Sequence, residues 1–150
     1  MKRIDHINFV VADLDAMTAF YRDGLELRVT KQITIEGPWI EAVSGLKDAV
    51  ADVVYLEPDG GPGVELICYR RPQSARPEQL GQANTPGLRH AAFRVDDLDG
   101  VIRKLKDAGA RVQSDVQQVP TTQVDFAGQQ KRIVYFLDPE GNLLELCQFR

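Results

Sequence analysis

Side chains with the chemistry of metal ligands recur at matched places in this chain. The protein has two histidines, His6 and His90, which lie 84 residues apart in two similar runs, residues 4–15 and 88–99. Asp13 and Asp97 recur in these runs at the same offset. A repeat of this period indicates two copies of one supersecondary unit.

The ends of the two halves also repeat. Residues 57–60 are Glu-Pro-Asp-Gly and residues 138–141 are Asp-Pro-Glu-Gly, and a strand-like apolar run follows each. Proline presets φ for a tight turn and glycine tolerates positive φ, so both runs are predicted hairpin turns. The strand after each turn carries an acid between apolar neighbours, Glu65 and Glu145. Each half therefore begins with a histidine and closes with a glutamate.

These residues predict a metal site. A lone strand histidine is more often a hydrogen-bonded core residue than a ligand, and a lone strand glutamate more often faces solvent. Recurrence of both types at matched positions favours a common site. If the halves pack about a pseudo-twofold axis, a divalent cation would neutralise carboxylates that are costly to bury unpaired. Two nitrogen and two oxygen donors suit Zn, Ni, Co, Fe or Mn and leave coordination positions open. The predicted ligands are His6, Glu65, His90 and Glu145.

The elements that position these residues follow the order βαβββ in the first half. Asp13 can cap a helix whose apolar residues recur at helical spacing and which ends at Gly24. Residues 39–46, after the breaker Gly37-Pro38, are expected to be a loop or a short helix. The predicted strands are residues 4–11, 26–36, 51–56 and 64–69.

The second half repeats that order. Asp97 caps a predicted helix that stops at Gly109. After the strand that contains His90, the predicted strands are residues 111–116, 132–137 and 143–149, with a polar excursion at 121–128. Residues 71–87 are polar and join the halves. We expect one domain over residues 1–150, with module one at about 1–70, a connection at about 71–87, and module two at about 88–150.

Composition limits the partners and the compartment. The formal net charge of −4 and the pI near 5.2 argue against a nucleic-acid-binding or anionic-membrane surface. No apolar run approaches membrane-spanning length, and the first residues do not resemble a secretion signal. Two cysteines are too few for a disulfide framework, so we expect a cytoplasmic protein. From the charge and the hydropathy we expect neither a membrane nor a nucleic-acid partner.

At these motifs the chain resembles the vicinal oxygen chelate superfamily, which includes glyoxalase I, methylmalonyl-CoA epimerase, extradiol dioxygenases and bleomycin-resistance proteins. The resemblance covers nearly the whole chain, and its motifs are the runs Ile-Asp-His at 4–6, Phe-Tyr-Arg-Asp at 20–23 and Asp-Pro-Glu-Gly-Asn-Leu-Leu-Glu-Leu at 138–146. It implies an α+β fold in which two tandem βαβββ modules form an open, cupped mixed sheet around a metal.

The resemblance also implies a function. The His/Glu/His/Glu set is similar to that of bacterial glyoxalase I, whereas the epimerases usually have glutamine where this chain has Glu65. The implied activity is that of a divalent-metal-dependent lyase or isomerase that moves a proton alpha to a carbonyl of a small substrate. Glu145 is the first candidate for the catalytic base and Glu65 the second, because a carboxylate beside the metal is placed to move the proton.

Two other superfamily functions stay open at this point. One is a metal-dependent dioxygenase, although this chain has no histidine to spare for proton transfer. The other is a non-enzymatic protein that binds a small molecule or antibiotic, although intact ligand positions argue against it. Family members commonly assemble as homodimers, either with each cup inside one chain or with modules exchanged between chains, so we expect a homodimer.

Three further residues are candidates for substrate binding. Asn8 shares its strand face with His6, and Arg94 shares its face with His90. Arg94 would there pair with a substrate carboxylate or phosphate, or else reach solvent. Trp39 would close over the mouth of the cup or anchor its own loop.

Overall fold

The computed structural model describes residues 2–150. By its internal contacts the chain divides into two compact units, with the boundary between Arg76 and Pro77. We call the unit before this boundary the first module and the unit after it the second module. The α+β class and the two tandem βαβββ modules predicted from the repeat are confirmed.

The first module is a four-stranded mixed sheet with the strand order β1-β4-β3-β2. Strand β1 pairs in parallel with β4, and the other pairs are antiparallel. Its strands are β1 (His6–Val10), β2 (Arg28–Glu36), β3 (Val50–Glu57) and β4 (Gly63–Arg71), and its helices are α1 (Leu14–Ala19) and α2 (Pro38–Ser44).

Both helices of the first module begin at residues that the sequence singled out. The Asp13 side chain accepts a hydrogen bond from the Ala16 amide and caps α1, as predicted. The predicted end at Gly24 is also confirmed, but the last turn, Phe20–Gly24, is a π-helix. Helix α2 resolves the loop-or-helix alternative at 39–46, because Pro38 begins it and Gly45 ends it at φ 72°.

Strand register in the first module places an acid at the margin of an apolar face. Glu65 on β4 lies between Asn8 on β1 and Tyr55 on β3. The same face of the sheet continues into a buried cluster, against which partly buried side chains pack. The cluster consists of Ala51, Val53 and Ile67, and the packed side chains are Ile35, Tyr55 and Tyr69.

The second module is built on the same plan, with the strand order β5-β9-β8-β6 and β7 also paired with β8. Strand β5 is parallel to β9, and β8 and β9 form the closing hairpin. Its strands are β5 (Ala91–Arg94), β6 (Arg111–Val112), β7 (Gln117–Gln118), β8 (Lys131–Leu137) and β9 (Leu143–Phe149), and its helix is α3 (Leu98–Asp107).

Two predictions for the second module need correction. The strand expected at 111–116 is wrong beyond Val112, because the chain leaves the sheet and the Ser114 hydroxyl donates to the Asp115 carbonyl. His90 lies one residue before β5 rather than inside a strand. The cap of α3 is as predicted, since the Asp97 side chain accepts from the Gly100 amide.

The turn between β8 and β9 has its own polar support. Asp138 is fully buried, and its carboxylate accepts hydrogen bonds from the amides of Glu140 and Asn142 and from the Asn142 side chain. This turn fixes the start of β9, the strand that carries Glu145. Across residues 2–150, no helix has the length and apolar composition needed to cross a membrane.

Candidate metal centre

The first module brings one predicted ligand pair together. His6 Nε2 lies 3.3 Å from Glu65 Oε2. The other ring nitrogen, Nδ1, lies 2.9 Å from a carboxylate oxygen of Asp5. A hydrogen bond at one imidazole nitrogen selects the tautomer that leaves the other nitrogen free as a donor to a metal. The pair is open on one side, since the His6 side chain is 43% exposed and that of Glu65 is 13% exposed.

Neutral hydrogen-bond donors surround the Glu65 carboxylate. The Asn8 side-chain amide donates to Glu65 Oε2 over 2.9 Å. Burial, and then a hydrogen bond to the Glu65 carboxylate, raises the pKa of the Tyr55 hydroxyl. Lys31 extends over the Tyr55 ring, with Nζ 5.5 Å from the ring centroid. The first carboxylate is therefore oriented by an amide and a phenol.

The second module repeats the pair at the same spacing. His90 Nε2 lies 3.3 Å from Glu145 Oε2. The His90 ring packs against the ring of Tyr135, with centroids 5.0 Å apart. Here both partners are more enclosed than in the first module, because the His90 side chain is 30% exposed and the Glu145 side chain 6% exposed.

A lysine, rather than an amide, holds the second carboxylate. Lys131 Nζ donates to Glu145 Oε1 over 2.9 Å. The same ammonium lies 5.6 Å from the centroid of the Phe126 ring and 5.8 Å from that of Phe149. Aromatic faces attract cations at such distances, so the rings help to fix the lysine beside the acid.

The donors fit a divalent borderline metal. Two ligands bound at about 2.1 Å with angles between 90° and 109° are roughly 3.0–3.4 Å apart. Both Nε2–Oε2 separations fall in this range. An imidazole lone pair that faces a carboxylate oxygen requires a proton or a cation between them. Among the described residues, 2–150, no group of three or more His, Cys, Asp or Glu side chains is gathered as a metal site. Each module thus supplies two of the four predicted ligands.

The candidate substrate-binding residues have three different environments. Asn8 contacts the predicted ligand Glu65 directly. The Arg94 guanidinium lies over the Phe149 ring, 4.7 Å from its centroid. Trp39 is 57% exposed on helix α2. Substrate binding by these residues stays a prediction.

Sequence reasoning missed the three residues that flank the glutamates. Tyr55 and Tyr135 lie directly across the strand pair from Glu65 and Glu145. Each tyrosine precedes its glutamate by the same number of residues, so aligning the closing strands of the two halves would have found them. Lys131 left no such pattern, because it pairs in the sheet with Phe149 and its long side chain reaches back to Glu145.

Comparison with known proteins gives consistent results. The family model described as the Glyoxalase/Bleomycin resistance protein/Dioxygenase superfamily matches residues 3–146. The chain is 29% identical over 148 residues to the uncharacterized protein YaeR of Escherichia coli (strain K12), covering 99% of this chain and 97% of that protein. It is also 29% identical over 148 residues to the uncharacterized protein YwkD of Bacillus subtilis (strain 168), covering 99% and 98%.

A solved structure supports the same assignment. The crystal structure of a glyoxalase family protein from Bacillus cereus matches with a TM-score of 0.86 and 25% sequence identity, covering 99% of this chain and 95% of that one. The repeat, the two sheets and the family match agree with each other over nearly the full length. The chain belongs to the glyoxalase/bleomycin resistance protein/dioxygenase superfamily.

Proposed function

We propose that this protein is a divalent-metal-dependent enzyme of glyoxalase I or epimerase type, which moves a proton at the carbon next to a carbonyl of a small substrate. The observation that carries the proposal is the recurrence of one imidazole–carboxylate pair, with Nε2 and Oε2 3.3 Å apart, at the same place in both modules. His6, Glu65, His90 and Glu145 would hold the metal, which would act as a Lewis acid and template for adjacent substrate oxygens.

The protein's own residues would orient and move the proton. A general base must be held in place to act efficiently, and the ion pair with Lys131 fixes one oxygen of Glu145 while the other faces His90. Glu145 therefore remains the first candidate for the base. Glu65, oriented by Asn8, is the second. The apolar cluster that includes Val53 and Ile67 would limit water at the first carboxylate.

We further propose that the protein acts as a homodimer. The two ligand pairs would then combine either within one chain or between two copies, the two arrangements predicted from the family resemblance. Sedimentation at micromolar concentration would show a dimer, and a monomer alone would remove this part of the proposal.

The test of the reaction is isotope exchange at the substrate carbon. Protein loaded separately with Zn²⁺, Ni²⁺, Co²⁺, Mn²⁺ or Fe²⁺ would be incubated in D₂O with hemithioacetals, acyl-CoA thioesters and 2-oxo acids. Metal-dependent deuterium uptake at the alpha carbon is expected with one of these classes, and Glu145→Gln would reduce its rate by about 10²-fold or more. Oxygen consumption without exchange would support a dioxygenase instead, and tight ligand binding without metal or turnover would support a sequestering protein.

A further inference from the structure

Lys131 forms an ion pair with the predicted ligand Glu145, and among the described residues of the first module the corresponding contact to Glu65 is made by the neutral Asn8. We propose that Lys131 is a positioning residue whose ammonium group binds one oxygen of Glu145. In this way it would weaken the bond between that carboxylate and a metal, and would keep the carboxylate available for proton transfer. The inference rests on the proposed function, because it concerns how Glu145 serves the metal and the substrate.

The geometry divides the two oxygens of Glu145 between two partners. Oε1 accepts from Lys131 Nζ at 2.9 Å, and Oε2 faces His90 Nε2 at 3.3 Å. A metal at the His90 side would therefore meet a single oxygen of this carboxylate. The Lys131 side chain is only 19% exposed, so water screens this ion pair less than a surface pair.

The first module shows the alternative arrangement. Glu65 accepts a hydrogen bond from the Asn8 amide, which orients the carboxylate without adding a charge. Asn8 opposes Glu65 in the sheet, and Ala92 holds the equivalent place opposite Glu145. Because Ala92 has no donor, Lys131 is the side chain that orients Glu145, and it brings a positive charge that would repel a metal cation.

The consequence is a pair of effects with opposite signs. Removing the lysine leaves a buried carboxylate without its counter-ion, which destabilises the metal-free protein. The same change removes a competing cation, which strengthens metal binding. A residue with only a structural role would weaken both stability and metal affinity when replaced.

The test compares Lys131→Gln and Lys131→Arg with the wild type. Glutamine places an amide donor beside Glu145, similar to Asn8 beside Glu65, and arginine keeps the charge. Zn²⁺ affinity would be measured by competition with a chromophoric chelator, and thermal unfolding would be followed with and without the metal. Lys31→Gln is the matched control, because Lys31 lies over the Tyr55 ring in the first module.

We expect Lys131→Gln to lower the unfolding midpoint of the metal-free protein by roughly 5 °C. Its Zn²⁺ affinity should rise by about tenfold or more, and its rate of alpha-carbon exchange should fall. Lys131→Arg and Lys31→Gln should bind Zn²⁺ within about threefold of the wild type. Co²⁺ absorption spectra, which report coordination directly, should change in Lys131→Gln and not in Lys31→Gln.

The outcomes separate this inference from the function on which it rests. If the wild type binds Zn²⁺ and Lys131→Gln binds it equally or more weakly, the role of Lys131 is overturned while the metal site stands. If Lys131→Gln does not fold, a loss of Zn²⁺ affinity in Lys131→Arg of more than about tenfold also overturns it. If no variant binds Zn²⁺ or another of the five metals, the proposed function fails and this inference fails with it.

Discussion

In the first module a carboxylate is held by an amide and a phenol, and in the second its counterpart is held by an ammonium. Glu65 accepts from Asn8 and sits next to Tyr55, whereas Glu145 pairs with Lys131 and sits across from Tyr135. The distance from histidine Nε2 to glutamate Oε2 is the same in both modules, at 3.3 Å.

The two glutamates differ in their hydrogen-bond donor because the residues at two equivalent strand positions differ between the modules. Asn8 in the first module corresponds to Ala92 in the second, because each lies opposite its glutamate in a parallel pair. Ala51 corresponds to Lys131, because each lies opposite an aromatic residue of the last strand. A polar group and an alanine have thus changed places. Both modules keep one oriented carboxylate, but only the second does so with a charge, and we predict on this basis that the two acids have different tasks.

The largest expected effect compares the two acids directly. Glu145→Gln should reduce alpha-carbon exchange by about 10²-fold or more, because a general base contributes on that order. Glu65→Gln should have a smaller effect on exchange and a larger effect on Zn²⁺ affinity. Single-turnover exchange in D₂O at saturating metal separates these losses. Equal losses of exchange in both variants would contradict a division of tasks.

Metal removal tests whether the two histidines contribute equally. A metal at about one hundred times its Kd stabilises the protein by about 2.7 kcal/mol, which raises the unfolding midpoint by roughly 5–10 °C. His6→Ala and His90→Ala should each remove most of that increase, as measured by calorimetry before and after chelation. A variant that keeps the full increase would show that its histidine is not a ligand.

A transplanted amide should replace part of the lost ion pair. In a Lys131→Ala background, Ala92→Asn should recover about 1 kcal/mol of the free energy of unfolding, the usual contribution of one hydrogen bond. Asn8 makes this contact from the equivalent strand position, and Ala92 is exposed enough to accept the larger side chain. Urea denaturation of the single and double variants measures the recovery. No recovery would mean that the two strand positions are not equivalent.

The smallest expected effect concerns Asp52, on the face of the first module's sheet opposite to Glu65. The Arg70 guanidinium, and then the Thr34 hydroxyl, lowers the pKa of Asp52 by hydrogen bonding. The folded state therefore favours the carboxylate, and this stabilisation is present above the ordinary pKa near 4 and is lost as pH falls through the lowered value. Asp52→Asn should cost about 0.5 kcal/mol at pH 7, and the cost should decrease as pH falls below about 4. Urea denaturation at pH 7 and at a series of acidic pH values tests the sign.

Much of this molecule was predictable from the sequence because its repeat is explicit. The matched histidines, capping aspartates and turn motifs predicted both modules, and the histidines and glutamates that recur in them form the two imidazole–carboxylate pairs. The side chains that orient the acids were not predicted, because their contacts depend on strand register and on long side chains that reach across it. Lys131 is the clearest case, since its backbone neighbour is Phe149 and its side chain contacts Glu145. The strand expected at 111–116 was wrong beyond Val112, because the sequence does not reveal the local hydrogen bond that Ser114 makes outside the sheet.

The parallel pairing of β1 with β4 has a consequence for how the protein folds. Asn8 and Glu65 are 57 residues apart in sequence, so their contact closes a long loop and raises the contact order of the module. The corresponding pair in the second module, Ala92 with Glu145, spans a similar stretch of chain. Local elements such as α1, α3 and the β8–β9 hairpin can form early, whereas each imidazole–carboxylate pair forms only after the parallel strands of its module have paired. The two imidazole–carboxylate pairs should thus form late in refolding, when their module becomes fully cooperative.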